Sequence, residues 1–285
     1  MVIVTSGKNW KGEDCEFYMD GYLLKNVEKV KEVVQKKDFD YVAIIAGLPG
    51  AGKSNFAITL AKYFCPWFDH TYIAYTAEQF IELTNNCPKR SSVVLDESFA
   101  SLNSKVGMSS DYLKVVNHLQ LIRQKNLFIL LCLPNFFDLN KGIAIYRTSH
   151  LFVIYGKKFG DRGSFSAFDR DNKKMLYIKG QKYMNYNCVK PNFRGQFTKQ
   201  KALPVEIYDK LKLQHLKEQN INIGRKTTRV NVQRDKVLAY CKFILKIPVK
   251  KLQDLTKLTP ESIYTAIRQE KDNILNEYSG DIKES

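Results

Sequence analysis

The stretch Gly47-Leu48-Pro49-Gly50-Ala51-Gly52-Lys53-Ser54 limits what this chain can fold into more than any other. It follows an apolar run, Tyr41-Val42-Ala43-Ile44-Ile45-Ala46, that reads as a buried strand. It precedes Asn55 to Phe64, where Phe56, Ile58, Leu60, Ala61 and Phe64 recur at helical spacing. Strand, glycine turn and helix in that order open an α/β sheet, and the turn fits the phosphate-binding pattern G-x-x-x-x-G-K-[ST]. Glycines let successive backbone N–H groups turn inward around phosphate oxygens. The helix N-terminus adds partial positive charge. The pattern makes Gly47, Pro49, Gly50, Ala51, Gly52, Lys53, Ser54 and Asn55 the expected nucleotide-binding residues. Lys53 would reach the β- and γ-phosphates, and the Ser54 hydroxyl would face Mg²⁺.

A second element supports the first. Ser92-Val93-Val94-Leu95-Asp96 reads as another buried strand, and it delivers the carboxylates of Asp96 and Glu97 to its C-terminal end. Ligands of open α/β sheets bind at that end. Asp96 is the expected metal ligand beside Ser54, and Glu97 the expected general base on water. A kinase moving phosphate to another acceptor has less need of the second acid, so the pair favours ATP hydrolysis. Asn135, after the strand Leu127 to Leu133, would either orient that water or serve as a turn residue after Pro134. Arg123 would be an arginine finger on a neighbouring subunit's nucleotide, with Arg147 as the other candidate; either is also readable as a solvated basic residue.

Further strands are expected at Thr71 to Tyr75 and Leu151 to Tyr155. Helices are expected at Tyr22 to Gln35, from a capping box at Thr76-Ala77-Glu78-Gln79 through Leu83, and at Asp111 to Arg123. Alternating helices and continuously apolar strands predict a parallel sheet covered on both faces. Residues 1–21 show no clear period. Ser164 to Asp169 and Lys174 to Lys179 alternate like an antiparallel hairpin turning at Arg170-Asp171-Asn172-Lys173. Basic and aromatic residues interleave from Lys157 to Lys201, as either a stacking platform or a packing stripe. Val205 to Gln219 reads as a helix and Asn220 to Val232 as a polar, basic linker.

Near the C-terminus, Asp235 to Lys246, Val249 to Lys257 and Pro260 to Leu275 read as three short helices. Thr259 is a good N-cap and Pro260 suits the first helical position. The stretch Leu252 to Tyr264 resembles a helix-turn-helix. Ile263, Ala266 and Ile267 would face its core. Lys250, Lys251, Ser262, Thr265, Arg268 and Gln269 are the expected nucleic-acid contacts, alongside the outward Glu261. A plain helical bundle for subunit contacts is the alternative. The expected domains are residues 1–200, an ATPase with an N-terminal helix and a β-hairpin extension; 201–232, helix and basic linker; and 233–285, the helix-turn-helix-like module.

The formal net charge of +16 over 285 residues favours a polyanionic partner such as DNA. The six cysteines include no C-x-x-C pair and look reduced and buried, without structural zinc. The start lacks a signal pattern, and the longest apolar run, Leu127 to Leu133, is far short of a membrane span. The expectation is a soluble, cytoplasmic protein, in the host cytoplasm were the chain viral.

The phosphate loop, Leu95-Asp96-Glu97, Arg123 four residues before a strand and a polar residue after that strand together resemble the FtsK/HerA-type ATPases. Arg123 to Asp138, followed by Ile143 to Tyr155, is similar to the zonula occludens toxin-like and viral genome-packaging members. The resemblance covers roughly residues 38–156, with Asn135 standing where glutamine is common. It implies a RecA-like core with strand order 5-1-4-3-2, a ring-like homo-oligomer and a nucleic-acid substrate. The function expected is an ATP- and Mg²⁺-dependent DNA motor of a virus or mobile element. The alternative is an ATP-gated DNA-binding switch such as a replication initiator or helicase loader. A small-molecule kinase, for which no lid signature is found, ranks behind both.

Overall fold

The computed structural model describes residues 2–9, 11–96, 110–156, 158, 160–199, 202–204, 206–214, 229–256 and 258–278. The chain divides into two compact units, Met1–His215 and Leu216–Ser285.

In the first unit a two-stranded antiparallel hairpin, β1 (Val2–Lys8) and β2 (Asp14–Met19), precedes helix α1 (Gly21–Lys36). The hairpin occupies the stretch in which the sequence shows no period. Only one face of β2 is buried (Cys15, Phe17, Met19), while β1 is largely exposed, so the alternation is confined to one short strand. Asp20 caps α1, accepting from the N–H groups of Tyr22 (3.0 Å) and Leu23 (3.2 Å).

The sheet follows: β3 (Tyr41–Gly47), α2 (Lys53–Phe64), β4 (Ile73–Ala74), α3 (Ala77–Asn86), β5 (Ser92–Leu95), α4 (Ser110–Leu121), β6 (Phe128–Leu133) and β7 (His150–Tyr155). The five strands are parallel and ordered β4-β5-β6-β3-β7. Counted along the chain, that is the order 5-1-4-3-2 of a RecA-like core. Every residue of β3 and β6 is buried, and successive side chains enter opposite layers. Tyr41, Ala43 and Ile45 of β3 join Phe128, Leu130 and Cys132 of β6 beneath α1 and α2. Val42, Ile44 and Ala46 join Ile129, Leu131 and Leu133 beneath α3 and α4. Two apolar layers explain why these strands read as unbroken apolar runs instead of alternating ones.

The expected strand Thr71 to Tyr75 shrinks to two residues. Asp69 takes the Thr71 N–H (2.8 Å) and winds His70–Tyr72 into a single 3₁₀ turn. Thr76 caps α3, its hydroxyl accepting from the Gln79 N–H (3.2 Å), while the Gln79 amide oxygen reaches one residue beyond the cap and accepts from the Tyr75 N–H (3.0 Å).

Beyond β7 the sheet continues antiparallel through β8 (Ser164–Phe168) and β9 (Phe193–Gln196). The expected second hairpin strand, Lys174 to Lys179, is instead part of helix α5 (Arg170–Gly180). Asp169 decides this by accepting the Asn172 N–H (2.9 Å), so the supposed hairpin turn is the first helical turn. Lys173, Leu176, Tyr177 and Gly180 then form the buried stripe at helical spacing. Residues 206–214 are helical and are termed α6.

The second unit holds α7 (Arg229–Phe243), α8 (Val249–Thr256) and α9 (Pro260–Tyr278). Helix begins at Arg229, inside the stretch expected to be linker. Leu238, Leu252, Ile263, Ala266 and Ile267 form its core. Thr259 accepts the Ser262 N–H (3.3 Å) at the start of α9. Cys15, Cys65, Cys87 and Cys132 are buried, Cys241 is half-buried and, against expectation, Cys188 is exposed. Among the described residues no helix is long and apolar enough to cross a membrane.

Candidate nucleotide site

The phosphate loop leaves β3 at Gly47 and enters α2 at Lys53. Its turn needs glycine. Gly50 and Gly52 have φ of 77° and 104°, which side-chain-bearing residues rarely adopt. A Cβ on Gly47 would lie 2.3 Å from the Ile154 carbonyl oxygen on β7, so close strand packing excludes any side chain there. A Cβ on Gly52 would meet the Phe197 ring at 3.2 Å.

Lys53 folds back over the loop, donating to the carbonyls of Gly47 (2.8 Å) and Leu48 (2.9 Å). Ser54 Oγ lies 3.0 Å from both carboxylate oxygens of Asp96. These two residues are 42 positions apart and come from different strand–helix units. Asp96 follows β5 directly, its N–H donates to the Ala74 carbonyl (2.9 Å), and it is 1% exposed. A carboxylate this buried needs partners, and a hydroxyl plus a carboxylate at a phosphate loop is the donor set of an oxygen-seeking divalent cation. The residues therefore fit Mg²⁺.

Two further partners of Asp96 come from α6. The Tyr208 hydroxyl donates to Oδ2, and Lys212 Nζ lies 3.7 Å from the same oxygen. Burial, reinforced by the Asp96 charge, pushes the Tyr208 phenol upward, so it stays protonated and a donor. Burial, again with help from Asp96, raises the neighbouring Cys132 thiol well above its ordinary range. Sequence reasoning placed a helix here but gave Tyr208 and Lys212 no role. Their four-residue spacing on one helix face was the available signal.

The remaining expected residues are placed as follows. Glu97 lies outside the described residues. Asn135 stands at the C-terminal end of β6, and its side chain is committed locally. Its oxygen accepts from the Phe137 N–H (3.3 Å) and the Tyr186 hydroxyl (3.0 Å), and its nitrogen donates to Asp138 (3.1 Å). Arg123 is exposed and lies just ahead of β6, at the N-terminal end of the parallel strands and so at the end opposite the phosphate loop, with its guanidinium 5.1 Å from the Phe39 ring centroid. Arg147 is paired with Asp40, whose side chain is 6% exposed, and donates to the Leu119 carbonyl. In the second unit Lys250, Lys251, Ser262, Thr265 and Arg268 are exposed. The Thr265 hydroxyl donates to the Glu261 carbonyl (2.8 Å). The Gln269 side chain lies outside the described residues. Among the described residues no group of histidines, cysteines and carboxylates could hold a metal by itself.

No protein-family model matches the chain, and no curated protein matches it. Among solved structures it is similar to the N-terminal domain of zonular occludens toxin from Neisseria meningitidis, at 17% identity and a TM-score of 0.40, over 57% of this chain and 96% of that one. It is similar to the genome packaging NTPase of Sulfolobus turreted icosahedral virus 2 in complex with AMP, at 12% identity and a TM-score of 0.34, over 48% of this chain and 95% of that one. It is also similar to AMPPCP-bound DnaA from Aquifex aeolicus, at 15% identity and a TM-score of 0.30, over 92% of each chain. The chemistry of the site rests on this chain's own residues.

Proposed function

We propose that this chain is a Mg²⁺-dependent P-loop ATPase that works on DNA. The observation carrying the reading is the Ser54–Asp96 pair, held at 3.0 Å where the loop enters α2. The loop from Gly47 to Asn55 would receive the triphosphate on its backbone N–H groups. Lys53 would exchange the carbonyls of Gly47 and Leu48 for the β- and γ-phosphates. Ser54 and Asp96 would hold Mg²⁺, which when bound neutralises charge between those phosphates. Glu97 would accept the proton of the attacking water. Arg123, at the opposite end of the strands from its own loop, would serve the nucleotide of a neighbouring subunit in a ring.

Charge supports the DNA assignment: the chain carries +16, and Lys250, Lys251, Ser262, Thr265 and Arg268 present an exposed basic and polar surface on the second unit. The work done on DNA would be translocation or genome packaging, within a virus or mobile element. One observation favours the second reading, an ATP-gated switch. The segment leading from the first unit to the second places Tyr208 and Lys212 on Asp96.

Steady-state ATP hydrolysis with and without double- and single-stranded DNA tests the proposal, with Glu97→Gln as control. Strong DNA stimulation lost in the variant is the expected result. Slow turnover indifferent to DNA, with DNA binding intact, selects the switch. No nucleotide binding removes both readings.

A further inference from the structure

Helix α6 sets a phenol and an ammonium on the carboxylate that the proposed function reserves for a metal. Tyr208 and Lys212 stand one helical turn apart and face the same way. Both reach Asp96 Oδ2, while Ser54 serves both carboxylate oxygens. Lys212 also lies 5.9 Å from the Tyr208 ring centroid. The approach to α6 is packed down. Phe197 touches the Phe56 ring at 5.1 Å between centroids, Ala202 and Leu203 are buried, and Tyr208 packs against the same apolar layer.

A carboxylate oxygen that already accepts a phenol and faces an ammonium has little lone-pair capacity left for a divalent cation. The ammonium and the cation also repel strongly at such a site, because burial reduces screening. We propose that α6 is an autoinhibitory latch: Tyr208 and Lys212 compete with Mg²⁺ for Asp96, so that Mg²⁺–nucleotide binding and docking of α6 exclude each other. The proposal rests on the reading of Asp96 as a metal ligand. The chain runs from α6 into the second unit, so undocking α6 is a direct covalent route by which nucleotide state reaches that unit.

The test uses the full chain and a fluorescent, non-hydrolysable ATP analogue, titrated in Mg²⁺ and in EDTA. In the doubly substituted Tyr208→Phe, Lys212→Gln protein, affinity in Mg²⁺ is expected to rise about tenfold, the scale of one lost charge-assisted contact. Affinity in EDTA is expected to change less than about twofold, because the latch opposes the cation rather than the phosphates. Equal affinity in Mg²⁺ overturns the latch, and weaker affinity overturns it and makes the two residues nucleotide contacts. A second measurement does not depend on affinity. Spin labels at Lys210→Cys and Glu82→Cys, in a Cys188→Ser, Cys241→Ser background, are expected to change separation when Mg²⁺ and the analogue are added. An unchanged separation overturns the proposal. Lys53→Ala separates the two failures. If wild type binds no nucleotide, or Lys53→Ala binds as well as wild type, the site reading falls and takes the latch with it. If binding depends on Lys53 but the double variant gains nothing, the latch alone falls.

Discussion

Lys173 offers a sharp test of how the antiparallel extension is fastened to the parallel sheet. Its side chain has no exposed surface, and its ammonium donates to the Thr148 carbonyl and to Thr148 Oγ1 (2.7 Å), just ahead of β7. Among the described residues no carboxylate forms an ion pair with it. Burial, followed by the nearby Arg170 charge, lowers its pKa from 10.5 to about 7. Below that value Lys173 is charged in both folded and unfolded chains, and the cost of burying the charge is fully present. As pH rises past it, the folded chain sheds a proton that the unfolded chain keeps. Stability therefore increases with pH over this window. Integrating from about pH 7 to about pH 8.5 gives a gain of about 1.5 kcal/mol from this one group. In Lys173→Met the gain disappears. The assay is urea unfolding followed by tryptophan fluorescence. Both tryptophans, Trp10 and Trp67, belong to the first unit, so the signal reports that unit alone. Cys65, Cys87 and Cys132 are raised by burial and act with the opposite sign at higher pH, but they are common to both proteins and cancel in the difference. His150, lowered to about 4 chiefly by burial and then by Lys173, stays neutral throughout the window. Parallel pH dependences in wild type and Lys173→Met would refute the reasoning.

Three substitutions test the roles argued for these residues. Gly47→Ala drives a methyl group against the Ile154 carbonyl, and it is expected to cost on the order of 3 kcal/mol, read as a lower thermal midpoint; an unchanged midpoint contradicts the strand spacing described. Arg147→Ala strands the buried Asp40 and is expected to cost about 3–5 kcal/mol, whereas Arg123→Ala is expected to leave stability within about 0.5 kcal/mol and to abolish hydrolysis; denaturation curves and ATPase rates on the same preparations check both halves.

The core was legible because its signals are local. The buried strands Tyr41–Gly47 and Phe128–Leu133 announce themselves as apolar runs, and the loop between Gly47 and Ser54 demands glycines at specific turns. The helical stripe Ile263, Ala266, Ile267 was equally plain. Two kinds of feature were not legible. Lys174 to Lys179 alternates by composition, and only the Asp169 cap, one hydrogen bond outside the segment, settles it as helix. The contacts of Tyr208 and Lys212 with Asp96 span more than a hundred residues; their four-residue spacing marks a shared helix face but does not name a partner at that distance. In sequence Arg123 is the finger candidate and Arg147 the second choice, and both are also readable as solvated basic residues. Only the fold shows Asp40 beneath one of them.

The seven-stranded sheet ends at β4, two residues long, and at β9, four residues long with a glycine at Gly195. Neither margin offers a run of free backbone groups long enough to template another strand. At these two margins, copies of this chain are shielded from joining their seven-stranded sheets into one. Contacts made at these margins would run through side chains instead of a shared ladder, so they could form and release without unravelling the sheet.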